Sequence, residues 1–329
     1  MKRILFRADA KPSIGIGDLM SLINLSHYFN PREWECFFMI KAYSAGIKLA
    51  KRIEKKYVFI LDESISIENE VDEINHVVQI HKIDILFFEI TDRRLSKYTG
   101  LTNNVKKACV NFNDHLLNGI DLVINWDVDA VKYMHQSSAP NALFLLGPKY
   151  VILPKQFYSL HDRRYKDKVE TLLISMGGAD EFNFTMKVVK IIIENNVKVS
   201  LNIIVGSGYE NIEKLKSLLK NSFIDYKIKH DVGNMFNEYI NCDFAIGAGG
   251  LTSSELVATK TPSALIATYE HQIARCKFFD KKRLVKYLGY KDFDSEELLR
   301  SINNPTKPNC NFLFETSKII NNIESICAN

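Results

Sequence analysis

Short apolar runs separated by helical or polar segments recur along the whole chain. Ile4 to Arg7, Phe37 to Ile40, Val58 to Leu61, Ile83 to Phe88, Lys107 to Phe112 and Leu122 to Ile124 suit parallel strands buried on both faces. Between the first two, Ala8 to Gly17 is rich in small residues, and from Asp18 onward Leu19, Leu22, Ile23, Leu25 and Phe29 fall at helical spacing. Strand, Gly-x-Gly loop and helix in that order open an α/β unit.

The pattern breaks after Leu143 to Leu146. Pro148 and Pro154 flank the run to Leu153, and the charged tract from His161 to Lys168 follows, a combination that marks a domain boundary. Beyond it the pattern starts again with strands at Thr171 to Ser175, Leu201 to Val205, Tyr226 to Ile228, Phe244 to Ile246 and Ser263 to Ile266. Helical segments alternate with them, and several strands open through glycines into a helix. The expected division is residues 1–155, residues 156–310, and a closing segment 311–329 whose helix, about Phe314 to Ile326, crosses back to the first domain. Two successive doubly wound halves put a cleft between domains, the GT-B arrangement of nucleotide-sugar enzymes.

Composition narrows the function classes. Lys+Arg number 43 against 39 Asp+Glu in 329 residues, and the charges are interspersed, so nothing argues for a nucleic-acid partner. The cysteines, among them Cys36, Cys109 and Cys242, form no C-x-x-C pair and lie near no histidine at ligand spacing, so no metal site or disulfide framework is expected. The N-terminus has no signal-peptide pattern and no stretch is long and apolar enough for a membrane span, so a cytoplasmic protein is the expectation.

The stretch from Cys242 to Leu256 carries the clearest chemistry. Its strand breaks at Gly247, Gly249 and Gly250 and restarts as a helix holding Leu251, Thr252, Ser253 and Glu255. Glycines let an anion lie against backbone N–H groups, and a helix start directs its unpaired donors and partial positive charge at it. A carboxylate one turn later, Glu255, is placed to accept from the two hydroxyls of a ribose, so a nucleotide fits better than bare phosphate. The other reading is an ordinary strand-to-helix turn with a first-turn acid. In the first half, Gly15-Ile16-Gly17 lacks the third glycine of a dinucleotide fingerprint. Asp18 is read either as the N-cap of the following helix or as a general base. His271 and Gln272 fall at a strand's C-terminal end, the edge where such sheets bind ligands.

These motifs together resemble the UDP-2,4-diacetamido-2,4,6-trideoxy-β-L-altropyranose hydrolases of pseudaminic acid synthesis and the related spore-coat polysaccharide proteins. The resemblance runs through Phe6-Arg7-Ala8-Asp9 with Gly15-Ile16-Gly17, Gly147-Pro148-Lys149-Tyr150, Ser175 to Asp180 with Asn183, Gly233-Asn234-Met235, Ala245 to Glu255, and Gln272. It implies a GT-B fold that uses no cofactor, with uridine diphosphate held by Gly178, Gly249, Gly250, Leu251, Thr252, Ser253, Glu255 and Gln272. It also marks Arg7, Asp9, Gly15, Gly17, Asn183 and His271 as substrate contacts. The chain departs from the family at the chemistry. Asp18 stands where the family has a histidine resembling a general base, Ser21 where it has an arginine, Glu89-Ile90-Thr91 where it has Asp-x-Tyr, and His271 where it has Asn.

Three functions stay open on this reading. In a hydrolase, Asp18 deprotonates water and UDP leaves with inversion; partial burial raises a carboxylate by about a unit or more toward that task. In an inverting glycosyltransferase, Asp18 deprotonates a hydroxyl of a sugar or lipid-linked acceptor instead. In a nucleotide-sugar-binding relic, Asp18 is only a cap.

Overall fold

The computed structural model describes all residues except 12–15, 52, 54–56, 91–94, 111–118, 135–138, 140, 159–162 and 329. The chain forms two compact units, one of Met1–Lys155 with Phe314–Asn329, the other of Gln156–Leu313.

In chain order the first unit contains β1 (Lys2–Ala8), α1 (Gly17–Ser26), β2 (Trp34–Lys41), α2 (Ser44–Ala50), β3 (Val58–Leu61), α3 (Ile67–His81), β4 (Ile85–Glu89), β5 (Lys106–Val110), β6 (Leu122–Asn125), α4 (Val131–Met134) and β7 (Leu143–Leu146). Its strands pair in parallel in the order β3-β2-β1-β4-β5-β6-β7. Because side chains alternate along a strand, Leu5, Phe37, Met39, Leu86 and Phe88 share one face, where Val71, Ile74, Val77 and Val78 of α3 cover them. Helix α3 starts at Ser66, whose hydroxyl accepts from Asn69 N–H, and stops at Lys82 in the left-handed region. On the other face Phe6 packs among Phe29, Phe38 and Phe87.

The second unit runs β8 (Thr171–Ser175), α5 (Phe184–Glu194), β9 (Ser200–Val205), α6 (Ile212–Lys220), β10 (Tyr226–His230), α7 (Met235–Ile240), β11 (Phe244–Ala248), α8 (Leu251–Ala258), β12 (Ser263–Ala267), α9 (Ile273–Lys281), β13 (Lys286–Tyr290) and α10 (Ser295–Asn303). The sheet order is β10-β9-β8-β11-β12-β13, again all parallel. Phe184, Val188, Val189 and Ile192 of α5 pack with Leu172, Ile174, Ile203 and Ile246. The apolar-run reading finds each of these strands except β13. That edge strand reads Lys-Tyr-Leu-Gly-Tyr, is half-buried, and contains Gly289 at φ 134, so it lacks a continuous apolar signal.

The closing helix, α11 (Thr316–Ile326), belongs to the first unit. Glu315 N–H donates to Lys149 O at 2.7 Å, and Lys2 Nζ donates to Glu324 O at 3.3 Å.

Candidate functional site

Each sheet reverses its winding beside its first strand, between β1 and β4 in one unit and between β8 and β11 in the other. Such switch points open a crevice beyond the strands' C-terminal ends. In the second unit that crevice is a pocket of about 290 Å³ lined by the loop after β8 (Met176 to Phe182), the turn into α8 (Ala248, Gly250, Leu251, Thr252), and Thr268, Tyr269 and Gln272 after β12.

Glycine is required where these loops crowd. A Cβ on Gly206 would come within 2.3 Å of Gly178 O, and one on Gly249 within 2.4 Å of Cys276 Sγ. The close approach brings Gly208 N–H to Gly178 O at 3.1 Å and fixes the first lining loop. Gly250 is the cap of α8 and supplies no side-chain bond; Ser253 N–H turns back to Gly250 O at 3.1 Å, which leaves Leu251 and Thr252 N–H as the leading donors of the helix. Gln272 completes the seat. Its Oε1 accepts from Thr268 N–H at 2.9 Å and Thr268 Oγ1 at 3.0 Å, which leaves Nε2 turned toward Gly250 as a donor. Backbone donors, a helix start and one amide N–H₂ converge there, a combination that receives phosphate oxygens.

Glu255 sits one turn into α8. The hydroxyl of Tyr239, a fully buried residue of α7, donates to Glu255 Oε2 at 2.9 Å. Burial pushes the Glu255 carboxyl up to about 7, while the Tyr239 hydrogen bond pulls the other way.

The first unit's switch point is lined by acids. Arg7 and Asp9, expected as substrate contacts, are buried and occupied with each other: Arg7 Nη1 and Nη2 donate to Asp9 Oδ1 and Oδ2 at 2.7 and 3.0 Å. Arg7 Nε donates to Glu70 Oε1 at 2.8 Å, Tyr98 Oη donates to the same oxygen at 2.7 Å, and Lys41 N–H donates to Asp9 at 2.8 Å. With no surface to offer a ligand, both residues brace the end of β1 instead.

Helix α1 begins at Gly17 with Ile16 at its cap and no side-chain cap bond. The N-cap reading of Asp18 is therefore corrected: the cap position falls on Ile16, and Asp18 is the second residue of the helix and buried. Gly15 lies outside the described residues, and a Cβ on Gly17 would meet no atom within 4 Å. Ser21 Oγ bonds Asp18 O at 3.0 Å and donates to Glu89 Oε2. Glu89, the last residue of β4, is 1% exposed. Burial holds its carboxyl well above the ordinary range, the Asp18 charge adds to that, and the Ser21 bond opposes it. Three positions read as departures from the family thus meet at one point.

Of the nucleotide contacts expected, Gly178, Gly250, Leu251, Thr252 and Gln272 line one pocket. Gly249 lies beneath it, packed on Cys276. Ser253 turns inward, its Oγ donating to Gly250 O at 2.6 Å. Asn183 and His271 are not among the lining residues. Asn183 Oδ1 accepts from Tyr209 at 2.8 Å, and His271 stacks on Tyr269 at 5.8 Å between centroids. Pattern reading missed Glu181, Phe182 and Tyr269, which share the rim: Tyr269 Oη donates to Glu181 Oε2 at 3.0 Å and its ring meets Phe182 edge-on. The signal available was two aromatics beside glycine-rich strand ends.

No protein-family model matches the chain. It is 25% identical over 283 residues to a protein of Methanocaldococcus jannaschii described as uncharacterized, covering 83% of this chain and 57% of that protein. It is 23% identical over 231 residues to the spore coat polysaccharide biosynthesis protein SpsG of Bacillus subtilis, covering 68% of this chain and 67% of that one. The chain thus spans little more than half the length of the first relative. Solved structures similar in fold include MurG of Acinetobacter baumannii, with a TM-score of 0.63 at 13% identity over 92% of this chain and 91% of that one. They also include the UDP-GlcNAc 2-epimerase of Neisseria meningitidis bound to UDP-GlcNAc, with a TM-score of 0.58 at 13% identity over 100% of both. The likeness is one of fold: two parallel-sheet α/β domains of the GT-B class. Among the described residues no helix is long and apolar enough to cross a membrane.

Proposed function

We propose that the protein is a nucleotide-sugar enzyme that cleaves the anomeric C–O bond of a UDP-linked deoxyamino sugar, a step of surface-polysaccharide or nonulosonic acid synthesis. The observation that carries this reading is the second unit's pocket, where two glycine turns, the start of α8 and the Gln272 amide converge within a turn of Glu255. Helix start and amide receive the diphosphate, and Glu255 the ribose diol. The likeness to an epimerase bound to UDP-GlcNAc supports the nucleotide class, and SpsG supports the polysaccharide setting.

In the reaction, a water oxygen attacks the anomeric carbon, Asp18 takes the water's proton, and the C–O bond breaks with its electron pair passing to the β-phosphate oxygen of UDP. Configuration inverts. Charge on the leaving diphosphate is met by backbone donors and the helix dipole, so the reading requires no divalent cation. A sugar or lipid-linked hydroxyl in place of water makes the same step a glycosyl transfer.

The test is incubation of the full chain with a panel of UDP-linked deoxyamino sugars, following free UDP with and without candidate acceptors and with and without chelator. UDP release in water alone is expected. Release only with an acceptor present would make the enzyme a transferase, and failure to bind UDP at all would remove the nucleotide reading.

A further inference from the structure

Tyr239 is an unusual partner for a ligand-binding carboxylate. It is fully buried in α7, its ring packs on Phe157 at 6.3 Å, and its hydroxyl reaches Glu255 of α8. Burial and the neighbouring Glu255 charge keep the phenol well above its ordinary value, so it stays a proton donor throughout the range in which a carboxyl titrates. The other polar groups near the pair are accounted for. Thr252 acts on the same phenol, Cys242 donates to Tyr239 O, and Arg163 donates to Tyr239 O and to Cys242 O. Glu238, also on α7, is turned away to Lys229 and Asn202. No described cation pairs with Glu255, and its Oε1 accepts no hydrogen bond from a described residue.

We infer that Tyr239 is a positioning residue: by holding Oε2 it aims Glu255 and keeps it chargeable, leaving Oε1 for the vicinal hydroxyls of the nucleoside. The inference rests on the nucleotide reading above. A carboxylate accepts from a diol, whereas a neutral carboxyl must spend one oxygen as donor, so nucleotide binding and ionisation of Glu255 are linked. With its carboxyl pushed up to about 7, Glu255 would bind poorly when protonated, and the Tyr239 bond is what keeps that threshold from rising further.

Calorimetry of the full chain with UDP between about pH 5.5 and about pH 9 tests this, with Glu255→Gln as reference so that titration of the UDP phosphate cancels. The ratio of wild-type to Glu255→Gln affinity is expected to climb by up to about tenfold per pH unit before levelling near pH 7. In Tyr239→Phe the climb should move about one unit higher, giving a several-fold loss at neutral pH that is recovered in alkali. An unchanged climb in Tyr239→Phe overturns the inference and leaves the nucleotide reading standing, whereas wild type that fails to bind UDP removes both. Should Tyr239→Phe not fold, proton release by the wild type decides: binding near pH 6.5 should release about half a proton or more beyond Glu255→Gln, and no excess overturns the inference.

Discussion

The two units place the same topology at their switch points and furnish it with opposite chemistry. Around β8 and β11 the strand ends run into glycines, and the chemistry is made of backbone N–H groups and one fixed amide. Around β1 and β4, Asp9 is tied to Arg7, while Asp18 of α1 and Glu89 at the end of β4 come together at Ser21, and the chemistry is made of side chains. An edge built from backbone can receive an anion without a charged side chain of its own, while one where a buried, raised carboxyl lies beside a second acid suits proton handling. The fold supplies the crevice in both cases; the residues at the strand ends decide what it is for.

The sharpest way to break this contrast is Asp18→Asn. If the acid edge handles the proton, turnover should fall by about 10²–10⁴-fold while UDP affinity holds. The cap position of α1 falls on Ile16, and Asn keeps the size and hydrogen-bonding oxygen of Asp, so melting should move little. Full turnover in this variant would leave the base assignment untenable.

Next is Arg7→Met. Removing the guanidinium strands Asp9 and Glu70 in the interior with Lys41 as the cation nearest Glu70, at 3.6 Å. Breaking one partner of such a buried network costs about 3–5 kcal/mol, visible as a lowered denaturation midpoint. A change under about 1 kcal/mol would mean that the network does not brace β1.

On the backbone-built edge, Glu255→Ala should weaken UDP binding by about tenfold to a hundredfold, the worth of hydrogen bonds to a charged acceptor. Equal affinity in calorimetry would sink the ribose assignment and reduce the pocket to a phosphate seat.

What was legible beforehand follows the same division. Strand ends that dissolve into glycine announce themselves in a linear sequence, so the strand-to-helix turn before α8 was readable from Gly247 to Thr252. Side-chain roles were less so. Arg7 and Asp9 look like exposed polar residues at a strand end, and only the fold brings Glu70 of α3 against them. Asn183 and His271 sit beside the right strands yet turn to Tyr209 and Tyr269, a choice of rotamer that spacing does not encode. Ser21 and Glu89 were visible as separate departures; that they touch depends on β4 lying next to β1.

The smallest effect concerns that last contact. Glu89 is buried, and its carboxyl is held well above the ordinary range chiefly by burial. The folded state then binds this proton more tightly than the unfolded chain. Its contribution to stability is fully present below the unfolded value near 4.5 and is lost as pH rises through the raised folded value. Glu89→Gln mimics the protonated form and cannot titrate, so its melting temperature should fall less between mildly acid and neutral pH than the wild type's. Glu255 contributes a similar slope in both proteins and cancels in the comparison. Parallel melting curves across that range would show that Glu89 is ionised in the folded protein, and the acid edge would then carry its charge on Glu89 as well as on Asp18.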